Sequence, residues 1–243
     1  MSALLEVEGL TKRFGGVTAV DGCSFGVPEG SVTALVGPNG SGKTTAFNLI
    51  TGYARPDAGG VSFDSVRVRR PDPTRLARRG LTRTFQQARI FPDLTIVENL
   101  VAAVQLPWLA TFRPRVRAVE RARALELLEE FGLAGLAGDK AGTLSYGQKK
   151  LLEFATVLMS KPRLVLLDEP TAGVNPVLVE QIEQRVRDLN ARGLTFLVVE
   201  HNMNLVMRLC DPVVVLDHGT KLAEGPPDAV RNDPRVLDAY LGG

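Results

Sequence analysis

The sequence predicts an α/β fold: a core with a mostly parallel sheet, an N-terminal antiparallel β subdomain and an inserted α-helical subdomain. Three observations carry this. Four short uncharged runs rich in branched side chains recur at Val32–Val36, Leu164–Leu167, Thr195–Val199 and Val213–Leu216. Runs of this kind read as strands buried on both faces, as in a parallel sheet covered by helices. Helical patterns lie between several of them. From about Ala88 to Ser160 no strand signal appears, which marks a helical insertion.

In chain order, Val61–Val68 alternates around Asp64-Ser65 and reads as an antiparallel hairpin. Thr95-x-x-Glu98 and Ser145-x-x-Gln148 are capping boxes that open two helices of the insertion. A third helix runs from about Val116 to Phe131 and stops at Gly132. Asn175 as N-cap and Pro176 at the first helical position start another, with Val179, Ile182, Val186 and Leu189 on one stripe. On its polar side Glu183 precedes Arg187 by one turn, and Gly193 ends it. Leu216-Asp217-His218-Gly219 reads as a hairpin turn, and His218 is assigned no role. We expect a single domain over 1–243: an α/β core with its antiparallel part over 1–87 and 161–243, and the helical subdomain over 88–160.

The composition excludes several classes. A chain of 243 residues that is 44% hydrophobic and 23% charged is neither disordered nor in need of staples. Two cysteines, Cys23 and Cys210, make no disulfide framework and no metal spacing, so reduced structural thiols are expected. The longest stretch without a charge, Asn99 to Phe112, contains Gln105 and Pro107 and falls short of the roughly twenty apolar residues of a membrane span. The start lacks the basic and long apolar regions of a signal peptide. A net charge of +2 and a pI of about 8.6 fall short of the roughly pI > 9 footprint of a nucleic-acid-binding domain.

Gly37-Pro38-Asn39-Gly40-Ser41-Gly42-Lys43-Thr44-Thr45 matches the P-loop pattern, after one predicted strand and before a predicted helix. Its glycines let successive backbone N–H groups turn toward phosphates, and the helix start adds positive potential. Lys43 is placed to reach the β/γ-phosphates and Thr44 to hold Mg2+. The strand at Leu164–Leu167 ends in Asp168-Glu169. A carboxylate there can coordinate Mg2+, and the next can orient the attacking water.

With these motifs in this order, the chain resembles the ATP-binding cassette (ABC) ATPases over nearly its whole length. Leu144-Ser145-Tyr146-Gly147-Gln148 resembles the family's signature sequence. Gln86, after Thr84-Phe85, fits the Q-loop glutamine, with Gln87 as the alternative register. His201 fits the switch histidine, and Phe14 fits the aromatic that stacks on adenine, unless it is plain core. The resemblance implies ATP and Mg2+ as cofactors, Thr44, Gln86 and Asp168 around the metal, and catalysis by Glu169 and His201 with Lys43. It also implies that Ser145, Gly147 and Gln148 bind the ATP of a second ATPase subunit, a copy or a paralogue.

Within that family four stretches resemble the ATPases of branched-chain amino-acid importers: Arg13–Gly16 with Ala19-Val20, Arg83–Gln86, Ala172–Pro176 and Glu200–Met203. Asn175 stands where most of the superfamily carries the D-loop aspartate, and Tyr146 replaces a glycine, both as in these importers. Lipopolysaccharide-export ATPases share Phe-Gln-Gln but usually keep the aspartate, which favours the importer. The implied partners are two membrane permease subunits and, indirectly, a solute-binding protein, with no nucleic acid. The implied place is the cytoplasmic face of the cell membrane. A soluble ABC protein acting on nucleic acid predicts a second cassette, a coiled coil or a basic tail, none of which the sequence carries. A degenerate ATP site is argued against by intact Lys43, Glu169 and His201.

Two arginine clusters, Arg67, Arg69, Arg70, Arg75, Arg78, Arg79 and Arg83, and Arg113, Arg115, Arg117, Arg121 and Arg123, read as solvated faces or as contacts with headgroups or a membrane subunit. Trp108 and Phe112 beside the second read as core or as part of such a docking face.

Overall fold

The computed structural model describes residues 3–68, 71–85, 89–104 and 114–241. Gln86, Gln87, Arg69, Arg70, Trp108, Phe112 and Arg113 lie outside these described residues. The elements are β1 (Ala3–Phe14), β2 (Val17–Pro28), β3 (Val32–Val36), α1 (Lys43–Ile50), β4 (Ala58–Phe63), β5 (Val66–Val68), α2 (Pro73–Arg78) and β6 (Leu81–Arg83). The insertion adds α3 (Ile96–Ala102), α4 (Pro114–Glu130) and α5 (Tyr146–Leu158). After it come β7 (Leu164–Asp168), α6 (Pro176–Ala191), β8 (Thr195–Val199), α7 (Met203–Leu209), β9 (Val213–Asp217), β10 (Thr220–Gly225), α8 (Pro227–Arg231) and α9 (Pro234–Leu241).

Two sheets result. One is antiparallel, in the order β2-β1-β4-β5; the other has the order β10-β9-β3-β8-β7-β6. In the second, all neighbours pair in parallel except β10, which returns antiparallel along β9. The four uncharged runs are its four central strands, and β3, β7 and β8 are buried at every residue. Alternation along each strand then splits the core in two. Val32, Ala34, Val36, Val165, Leu167, Phe196 and Val198 pack with α3 to α6 on one face. Leu35, Leu164, Leu166, Leu197 and Val199 pack with α1 and the antiparallel sheet on the other.

The insertion is helical, with both capping boxes present at Thr95 and Ser145. It is continuous with the first core: Phe154 of α5 meets Phe131 and Phe196 edge-on, with ring centroids 5.3 and 6.3 Å apart. In α6 the buried stripe is Leu178, Ile182, Val186 and Leu189. Leu178 replaces the expected Val179 because the first turn of α6 faces α5, where Leu178 packs over Gly147.

Two features were not individually readable. The long strands β1 and β2 hide their alternation behind register shifts, with Gly9 and Gly22 at φ 55° and 59°. Strand β6 is only three residues long and takes its place by pairing with β7. The hairpin at Asp64-Ser65 forms as expected, with both residues at positive φ. Cys23 and Cys210 are free and buried, and burial pushes their thiols up to about 11 and about 12. Of the arginines, Arg79 donates to the Phe63 carbonyl at 2.7 Å and Arg123 to that of Leu158 at 2.9 Å. Arg83 lies on no solvated or docking face: its side chain is buried between α1 and β7.

Candidate active site

Strand β3 and helix α1 are joined by the P-loop. Gly37, Gly40 and Gly42 take φ of 151°, 78° and 100°. A Cβ on Gly37 would lie 2.1 Å from the Leu216 carbonyl oxygen, and one on Gly42 2.3 Å from that of Ala19. Both positions therefore require glycine. The loop closes around its own lysine, whose Nζ donates to the carbonyls of Gly37 (2.9 Å) and Pro38 (2.8 Å) and to Ser41 Oγ (3.4 Å). Burial lowers the Lys43 ammonium below its ordinary range, and the charge of Glu169 opposes that shift. Asn39, Gly40 and Thr44 are exposed and Thr45 half-buried. The first helical bond runs from Ala46 N–H to Gly42 O, so the N–H groups of Lys43, Thr44 and Thr45 precede the ladder. The concavity suits an anion with several oxygens.

Strand β7 delivers two carboxylates to the same end of the sheet. Asp168 is buried and paired with Arg83 Nη2 at 2.5 Å. Glu169 takes φ 47° and donates its N–H to the Val199 carbonyl (2.9 Å), which anchors it to β8. His201 Nε2 lies 2.9 Å from Glu169 Oε1. Glu200, buried beside it, accepts from Thr171 N–H (2.9 Å) and Oγ1 (2.6 Å) through one oxygen and from the N–H groups of His201 (3.1 Å) and Asn202 (3.3 Å) through the other. The turns bearing Glu169 and His201 are thus locked to one buried carboxylate.

Among the described residues no group of three or more His, Cys, Asp or Glu side chains gathers to hold a metal ion unaided. The Thr44 hydroxyl and Asp168 carboxylate are hard oxygen donors. A nucleotide-borne Mg2+ is held by one or two carboxylates with phosphate and water completing its shell, so these residues fit it.

Phe14, at the end of β1, is 54% exposed with Lys12 Nζ 5.4 Å from its ring centre, which removes the core reading. The signature turn caps α5: Ser145 Oγ accepts from Gln148 N–H (3.3 Å) and Gln148 Oε1 from Ser145 N–H (2.9 Å). Tyr146 donates its hydroxyl to the Ala172 carbonyl (3.3 Å), and its ring lies 3.5 Å from where a Cβ on Gly173 would stand. Asn175 caps α6 through Leu178 N–H at 2.9 Å. The structure thus joins P-loop, Glu169 and His201 at the ends of adjacent strands, and places the signature against the segment leading to Asn175.

Sequence reasoning assigned no role to Glu200 or Glu153, and read Arg83 only as one of a surface cluster. Glu153 of α5 accepts from Phe85 N–H at 2.9 Å, and Lys150 donates to the Phe85 carbonyl at 3.3 Å. Burial raises the Glu153 carboxyl to about 7 against these partners. The one available signal was a lone acid between the apolar pairs Leu151-Leu152 and Phe154-Ala155.

The comparisons with known proteins agree with this geometry. Residues 20–172 match the ABC transporter family. Residues 220–243 match the branched-chain amino acid ATP-binding cassette transporter. The high-affinity branched-chain amino acid transport ATP-binding protein BraF of Pseudomonas aeruginosa is 41% identical over 249 aligned positions, covering 98% of each chain. LivG of Escherichia coli, with the same description, is 37% identical over 98% of each. Among solved structures, a nucleotide-free ATP-binding cassette from an ABC transporter superposes with a TM-score of 0.89 at 35% identity over 100% of both chains. The ADP conformation of MJ1267, an ATP-binding cassette of an ABC transporter, gives 0.88 at 36%, again over 100% of both. The chain belongs to the ABC transporter family, as one of its nucleotide-binding, ATP-hydrolysing subunits.

Proposed function

We propose that this chain powers an importer of branched-chain amino acids. The observation that supports it is a P-loop and a Glu169–His201 couple in a chain whose likeness to such transport ATPases is end to end. In this reading Gly37 to Thr45 bind the phosphates, with Lys43 exchanging its loop carbonyls for the β- and γ-phosphates. Phe14 stacks on the adenine. Thr44, Asp168 and Gln86 hold Mg2+, which supplies charge neutralisation on the phosphates when bound. Glu169 orients the attacking water and takes up its proton, and His201 polarises the same water and holds Glu169 in place.

Ser145, Gly147 and Gln148 present the start of α5 to the ATP of a second ATPase subunit, with Asn175 alongside, so ATP closes a dimer and hydrolysis reopens it. Membrane permease subunits convert that motion into transport, fed by a solute-binding protein. In this reading the chain acts through these partners at the cytoplasmic face; among the described residues no helix is long and apolar enough to cross a membrane. The test is uptake of radiolabelled leucine, isoleucine and valine in cells deleted for the gene. Uptake is lost, restored by the native chain and not by Glu169→Gln; undiminished uptake in the deletion overturns the assignment.

A further inference from the structure

Arg83 is a long cation placed where a sheet edge ordinarily puts something apolar. Its side chain is 6% exposed. Nη2 donates to Asp168 Oδ2 at 2.5 Å, and Nη1 to Asn48 Oδ1 at 2.7 Å and Thr51 Oγ1 at 3.3 Å. The rings of Phe47, Tyr53 and Phe85 surround the guanidinium, with centres 5.5, 5.8 and 5.1 Å from its carbon. Nε is buried and has no hydrogen-bond partner among the described residues.

Stability alone is a poor account of this arrangement. An unsatisfied buried N–H costs about 1–3 kcal/mol. A buried ion pair is, on average, no more stabilising than apolar packing of equal volume. What the residue does geometrically is more specific. Thr44 and Asn48 are one turn apart on the same side of α1. Arg83 therefore ties α1, one turn beyond Thr44, to the strand end that carries Asp168. A neighbouring bond points the same way: Thr84 Oγ1 accepts from the Asp168 N–H at 3.3 Å. Both links to Asp168 come from the segment that leads into Phe85 and the Q-loop.

We propose that Arg83 is a positioning residue of the Mg2+ site. Its guanidinium holds the Asp168 carboxylate in one rotamer through Oδ2 and leaves Oδ1 to face the ion. Through Asn48 it also sets the gap between the Thr44 hydroxyl and that carboxylate. The inference rests on Thr44 and Asp168 as the Mg2+ donors named above. Lysine cannot substitute fully, because one ammonium does not span Asp168 and Asn48 as the planar fork does.

The test is the ratio of ADP affinities measured by calorimetry with Mg2+ and with EDTA. The native chain binds ADP more tightly with Mg2+. In Arg83→Met that ratio falls at least tenfold while the affinity in EDTA stays within about twofold, and Arg83→Lys falls between the two. If Arg83→Met fails to fold, Asn48→Leu cuts only the α1 arm and lowers the ratio in the same direction, by about threefold. A ratio in the folded variants equal to the native one, or above it, overturns the positioning role; the guanidinium then only packs, or stands in for the cation. A native ratio of one overturns the Mg2+ assignment of Thr44 and Asp168 as well, which distinguishes the two failures.

Discussion

His201 Nε2 and Glu169 Oε1 lie 2.9 Å apart, across the ends of two neighbouring parallel strands. The contact joins a half-exposed imidazole to a carboxylate that is 17% exposed at the side chain, and in the proposed mechanism both act on one water. Glu169→Gln is expected to keep ATP binding and to slow hydrolysis by about 10²–10⁴-fold, the usual contribution of a positioned base. His201→Ala should lose a similar amount. Because the two act as a unit, the double variant should be little slower than Glu169→Gln alone. Phosphate release under saturating ATP checks this, and strictly multiplicative losses would refute the couple.

Lys43 donates to its own loop carbonyls, and in the proposed mechanism it exchanges them for the phosphates. Lys43→Ala removes the donor that satisfies the Gly37 and Pro38 carbonyls. We expect no measurable ADP binding by calorimetry, and a modest stability loss of about 1–3 kcal/mol in urea unfolding. ADP affinity near the native value would rule out phosphate contact by this lysine.

Much of this site is legible from residue order because its parts are local. The P-loop needs glycine where backbone approaches backbone, as at Gly37 against Leu216, and that requirement is written at single positions. The uncharged strands and the Ser145 and Thr95 capping boxes are likewise local in cause. Arg83 is the counterexample. Its sequence neighbours include other arginines, so it reads as one of a surface cluster, and only the pairing of β6 with β7 carries it inward to Asp168. Glu200 and Glu153 are hidden in the same way. Their partners, Thr171 and Phe85, are 29 and 68 positions away.

Gly42→Ala should act on shape alone. Its φ of 100° disfavours any side chain, and the new Cβ would press on the Ala19 carbonyl, which belongs to the strand β2 and has no rotamer to change. We expect a loss of about 1–3 kcal/mol, as for other overpacked sites, together with weakened ADP binding. Gly16→Ala is the control: its Cβ meets nothing within 4 Å, so it should leave both unchanged. Equal effects from the two substitutions would contradict the steric argument.

Glu153 makes stability depend on pH in a direction that its burial dictates. Its carboxyl rises from the ordinary 4.5 to about 7, through desolvation first, with Phe85 N–H, Lys150 and Arg89 opposing. Between those values the folded chain retains a proton that the unfolded chain has lost. Its contribution therefore falls as pH climbs through that window and levels off above about 7. At most this amounts to about 3 kcal/mol. Glu153→Gln keeps an oxygen to accept the Phe85 N–H but carries no titrating proton. Urea unfolding at pH 5 and pH 8 should show the native chain losing more stability than the variant over that interval. An identical loss in both would mean that Glu153 keeps an ordinary carboxylate despite its burial.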